Sequence, residues 1–121
     1  MDTRTKIVTP EQAPRGCTVV TGTFDMVLAA DALELTEIRA NYRDRPLLAV
    51  VLPLPGALLG ARARAELVAA LRIVDYVVSA DDAAPHALLA TLEPAQLVRL
   101  EATHAERKRQ LMEHVHRRQT S

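Results

Sequence analysis

Four times along this chain a short apolar run is followed by a stretch whose apolar residues recur at helical spacing. That alternation constrains the fold more than any other feature. The runs are Cys17 to Thr21, Leu47 to Leu52, Asp75 to Ser79 and Gln96 to Leu100. Valine and threonine dominate the first, and the second is apolar at every position, as expected of strands covered on both faces. Between and after them, Ala32 to Ala40, Ala61 to Arg72, Pro85 to Leu92 and Ala102 to Arg118 read as helices. Buried strands joined by helices predict a parallel sheet with right-handed crossovers and helices on both faces.

The 121 residues suit one domain spanning 1–121, and no repeat, low-complexity segment or linker divides them. The expected fold class is therefore α/β, a three-layer Rossmann-like parallel sheet of about four strands. Asp31 and Glu34, three apart at the start of the first helical stretch, resemble a capping box with Asp31 as the cap. Asp81 or Asp82 is positioned to cap the third helix, with Pro85 in its first turn. On the second helix, Leu67, Val68 and Leu71 form one face, and Arg62, Arg64 and Glu66 fall largely on another.

Composition removes several functions. Aromatic residues are 2% of the chain, only Phe24, Tyr42 and Tyr76, so stacking platforms for nucleic acid are nearly excluded. The formal net charge is zero, which gives no general attraction for a polyanion. Charge is uneven, however. From Ala102 to Ser121 five bases face two acids, a balance of +3, so the preceding residues carry −3. The basic run Arg107 to Arg109 reads as a solvated face of the charged C-terminal helix, 102–118. A narrow apolar stripe of Ala105, Leu111, Met112 and Val115 lies along that helix. The longest apolar run, Leu47 to Leu59, is too short for a bilayer and is broken by Pro53 and Pro55. With a polar N-terminus and the single cysteine Cys17, the expectation is a soluble, cytoplasmic protein without membrane or nucleic-acid partners. His104, His114 and His116 are ten and two residues apart and share no helix face, and His86 lies elsewhere, so no metal set is expected.

In open parallel sheets a ligand binds beyond the carboxyl ends of the strands, which points to the turn from Gly22 to Asp31. That turn contains Gly22-Thr-Phe-Asp25, which resembles the opening motif of the cytidylyltransferase-like nucleotidyltransferases, including the glycerol-3-phosphate cytidylyltransferases and the heptose nucleotidyltransferases. Ala65 to Val78, with Arg64 before it, resembles that family's next helix and third strand. Pro85 to Arg99 resembles the segment after. The resemblance covers roughly Val19 to Arg99 and implies the strand order 3-2-1-4.

The family's chemistry rests on a His-x-Gly-His motif placed just after Gly-Thr-Phe-Asp. Leu28, Ala29, Ala30 and Asp31 hold those places, so both imidazoles are absent. Leucine offers no donor, and an aspartate where a triphosphate would approach costs about 1–4 kcal/mol in repulsion. The family's Ser/Thr-rich helix start is also missing after Leu100. Its strand-end lysine is answered by Arg99.

The resemblance therefore implies a domain without catalytic residues, retained as a nucleotide- or anion-binding or protein-interaction module, with no resident cofactor. Thr21, Gly22, Thr23, Phe24, Asp25, Arg64 and Arg99 are the candidates for holding a nucleotide or small anion, the backbone N–H groups of the turn among them. Relatives are often dimers, and the stripe of Leu111, Met112 and Val115 offers a surface for a second copy. The alternative is an active transferase in which Arg64 and Arg99 replace the imidazoles, working on a magnesium-bound nucleotide and releasing pyrophosphate.

Overall fold

The computed structural model describes residues 2–80 and 85–120, and side chains through Arg117. Asp81 and Asp82, the expected caps of the third helix, lie outside the described residues.

The four apolar runs form strands β1 (Thr18–Gly22), β2 (Leu47–Val51), β3 (Tyr76–Ser79) and β4 (Gln96–Arg99). They pair in parallel in the order β3-β2-β1-β4, so the expected order holds with β1 and β2 central. Every residue of these two strands is buried. Alternation along them builds the two cores. Val20, Leu47, Ala49, Val51 and Val77 point to one face, where Leu35 and Val68 cover them. Val19, Leu48, Val50 and Val78 point to the other, under Leu88 and Leu92.

The connecting helices are α1 (Ala29–Asn41), α2 (Ala61–Ala69) and α3 (Pro85–Leu92), followed by α4 (Glu101–Thr120). α2 ends three residues before the expected Arg72. There the chain tightens through Leu71 N–H to the Val68 carbonyl, and Val74 N–H to that of Leu71. This turn delivers Asp75, whose carboxylate accepts the Leu47 amide at 2.8 Å and so fixes the start of β2.

Two helix-face readings are corrected by packing. Arg64 is buried in α2, and Leu67 on the expected apolar face is exposed. Asp31 is not the N-cap of α1 but its N3 residue. Leu28 is the cap, and its backbone N–H donates to Asp31 Oδ2 at 2.9 Å. Only the reciprocal half of a capping box is formed, because the Leu28 side chain carries no oxygen.

Candidate functional site

The turn after β1 packs against the first turns of α4. Gly22, the last residue of β1, lies directly beneath the His104 ring: a Cβ at position 22 would stand 2.4 Å from His104 Cε1. Phe24 adopts a left-handed backbone, φ 49°, and its ring meets the imidazole edge-on with centroids 4.6 Å apart. Its amide N–H donates to His104 Nδ1 at 3.5 Å. One of the backbone donors expected to cradle an anion, the Phe24 amide, therefore faces a side chain of the same protein.

Asp25 follows, 3% exposed, and accepts the amides of Leu58 and Leu59 at 2.9 Å each, tying the β2–α2 loop to this turn. Its third partner is the Lys108 ammonium. Burial pushes the Asp25 carboxyl upward, but the Lys108 hydrogen bond and the two amides outweigh it and hold it below its ordinary value.

One turn into α1, Asp31 pairs with the Arg107 guanidinium, which also forms a fork with Glu34 at 3.1 and 3.2 Å. Those hydrogen bonds, to Glu34 first and to Asp31, raise the Arg107 pKa further. His104 Nε2 lies 3.7 Å from Asp31 Oδ1, beyond hydrogen-bond reach. Burial pushes this imidazole below its ordinary value, against the opposing pull of Asp31 and Glu34. The ring is accordingly neutral near pH 7.

α4 thus brings an imidazole and two cations to a turn that carries three carboxylates. Arg107 and Lys108 are partly buried and paired, which corrects the reading of 107–109 as a solvated face. Only Arg109 fits it, exposed and paired with Glu106 and Glu113 on its own helix. Between the turn and α4 lies a cavity of about 350 Å³, with Met26, Leu28, Leu54 and Met112 as apolar walls and the two ion-pair sets at its edge.

The other candidates sit elsewhere. The Arg64 guanidinium donates to the carbonyls of Thr23 at 2.8 Å and Leu52 at 2.7 Å, so it clamps the turns after β1 and β2 from below. Thr21 and Arg99 are register partners on adjacent strands and share the opposite sheet face. There they line a second cavity of about 230 Å³ with Glu101 and His86. The Thr21 hydroxyl donates to Glu101 at 2.7 Å. The sheet therefore divides the predicted site: Gly22, Phe24, Asp25, Leu28 and Asp31 meet on the α1–α4 side, and Thr21 and Arg99 do not join them.

Sequence reasoning missed His104, Arg107 and Lys108 as members of this cluster. The available signal was electrostatic: three carboxylates in 25–34 with no local cation, and an excess of +3 in the C-terminal helix.

What the α1–α4 side can do follows from its parts. Thr23 brings a hydroxyl to the wall of this cavity. Cys17 is buried just before β1, at the far end of that strand, and its thiol is pushed upward by burial and by Asp75. The α1–α4 side holds an imidazole and two carboxylates close together, facing a cavity.

The fold defines a parallel α/β protein of the three-layer Rossmann-like class. Compared with models of protein families the chain matches none, and no curated protein is significantly similar to it.

Proposed function

We propose that this chain is a nucleotidyltransferase-like domain that performs no nucleotide transfer and serves as a protein-interaction module. One observation carries the reading. The two cations that α4 brings to the turn, Arg107 and Lys108, are engaged by Asp31, Glu34 and Asp25, and the third cation there, Arg64, is directed at the Thr23 and Leu52 carbonyls. A triphosphate approaching that turn meets buried carboxylates, and the cations beside them are already paired. Phosphoryl-type transfer depends on the reverse, donors and cations aimed at developing charge. The Gly22-Thr-Phe-Asp25 motif and the strand order 3-2-1-4 support the resemblance.

The substitute-arginine alternative is disfavoured on both of its residues. Arg64 is directed at two backbone carbonyls, and Arg99 lies across the sheet from Leu28 and Asp31.

α4 supports the interaction role. Its 20 residues span about 30 Å. Its first turns are docked through His104, Arg107 and Lys108. Continuing the same face, Met112 and Val115 are 43% and 42% exposed. The occupant proposed for this stripe is a second copy of the chain. No described helix is long and apolar enough to cross a membrane, and a cytoplasmic location remains part of this proposal.

The test is a thermal-shift panel with CTP, ATP and their monophosphates in magnesium, alongside a pyrophosphate-release assay on pure protein. No stabilisation and no release is the expected result. Triphosphate-dependent stabilisation with turnover would restore the enzymatic reading.

A further inference from the structure

We propose that Asp31, Glu34 and His104 form a binding site for a divalent transition-metal ion of the zinc type, and that the Arg107 guanidinium stands in the place such an ion would take. Asp31 and Glu34 are three apart on α1 and so share a helix face, while His104 reaches them from α4. One ligand atom from each, two carboxylate oxygens and an imidazole nitrogen, lies within 4.8 Å of the others.

The independent sign of a missing occupant is His104 Nε2. The residue is 8% exposed, and this nitrogen is buried without a hydrogen-bond partner. Buried polar atoms are almost always satisfied. This one points at Asp31 Oδ1 from 3.7 Å. Bonds of about 2.0–2.2 Å in a tetrahedral site put neighbouring ligand atoms roughly 3.3–3.6 Å apart, so the Asp31–His104 pair closes by a few tenths of an ångström at most and the wider pairs of the set by up to about 1.5 Å.

The ligand set selects the ion. Calcium and magnesium prefer oxygen alone, whereas a mixed imidazole–carboxylate set suits zinc and its first-row neighbours. Three protein ligands leave a fourth position for water. Asp31 and His104 both line the 350 Å³ cavity, which supplies room and access.

Two internal adjustments accompany binding. Arg107, 24% exposed at its side chain, withdraws from the carboxylates toward solvent. The Phe24 amide donates to Nδ1, which leaves the ring proton on Nε2, so the proton moves to Nδ1 as the metal takes Nε2. The contact given up is already at the 3.5 Å limit.

The experiment uses the full chain with Zn2+ and Co2+ as probes, in wild type, Arg107→Gln and Glu34→Gln. Zn2+ at hundredfold excess over its Kd is expected to raise Tm by about 5–15 °C. Arg107→Gln removes the competing cation and is expected to tighten Zn2+ binding at least about tenfold. It should also develop the visible absorption of tetrahedral Co2+. Glu34→Gln, at a half-buried position that folding tolerates, is expected to weaken binding by about tenfold or more. The proposal is overturned if neither wild type nor Arg107→Gln responds to either ion. It is equally overturned if Glu34→Gln binds as wild type does, because the ion then sits on other histidines.

Discussion

Substitution of Gly22 by alanine probes the contact on which the turn and α4 meet. The added Cβ would stand 2.4 Å from His104 Cε1, 2.6 Å from Nδ1 and 3.0 Å from Phe24 Cε2. Ordinary contacts begin near 3.4 Å, so the imidazole must retreat by about an ångström. It has nowhere to go without leaving Phe24 and the Asp31–Arg107 pair. Overpacking of this kind destabilises by about 1–3 kcal/mol. His104→Ala alone removes a buried ring and leaves a void, with a cost of about 1–3 kcal/mol by comparison with other large-to-small changes. In the His104→Ala background the new methyl group enters that void, and only the Phe24 edge must give slightly. Alanine there also gains roughly 0.5–1 kcal/mol over glycine in a strand. Gly22→Ala is therefore neutral or stabilising in that background, and the two substitutions couple by about 1–3 kcal/mol, the overpacking relieved. Urea denaturation followed by far-ultraviolet circular dichroism on the four proteins of the double-mutant cycle measures the coupling. Additivity within about 0.5 kcal/mol would refute the placement of His104 on Gly22.

Three further outcomes are expected. Asp25 has a folded pKa below its ordinary value of 3.8, so its contribution to stability is fully present above 3.8 and is lost as pH falls through the lower folded value; stability measured from pH 5 to 2 should fall less steeply in Asp25→Asn than in wild type, and parallel curves would contradict the Asp25–Lys108 contact. Arg64→Met should cost about 2–4 kcal/mol, since two carbonyls lose charge-assisted donors in the interior; a change under about 0.5 kcal/mol in urea unfolding would show that the clamp is not formed. Met112→Lys with Val115→Lys should leave Tm nearly unchanged while abolishing any concentration-dependent sedimentation, and a wild-type monomer at high concentration would remove the self-association part of the proposed function.

The fold was legible because its signals are local. Leu47 to Val51 is apolar at every position, so no register or face had to be inferred for a strand buried on both sides. Pro85 marks the start of α3 through a backbone restriction that acts within a residue or two. The cluster was illegible for the opposite reason. Arg107 meets Asp31 across 76 residues and Lys108 meets Asp25 across 83, and no periodicity encodes such a pairing. Arg64 was placed on a solvated face because helical spacing assigns charge outward by default. It points inward because the turns after β1 and β2 expose two carbonyls beneath it. Testing the histidines for a shared face of one helix could not reveal His104, whose partners Asp31 and Glu34 belong to α1.

The turn and α4 depend on each other through charge. Without α4, Asp25, Asp31 and Glu34 would lose their paired cations, and Asp25 has two amides, from Leu58 and Leu59, that hold it in the interior. Without the turn, the first half of α4 would present His104, Arg107 and Lys108 to solvent with little apolar area to dock it. The turn and the first turns of α4 therefore stabilise each other. An anion that enters the cavity between the turn and α4 meets Asp25 and Asp31, whose cations Lys108 and Arg107 are already paired. A cation meets the reverse situation. It need displace only the Arg107 guanidinium, a partly buried group on a flexible stem, and it replaces one positive charge with two while the rest of α4 stays in place. The geometry that turns a phosphate away is therefore the geometry that favours a metal ion.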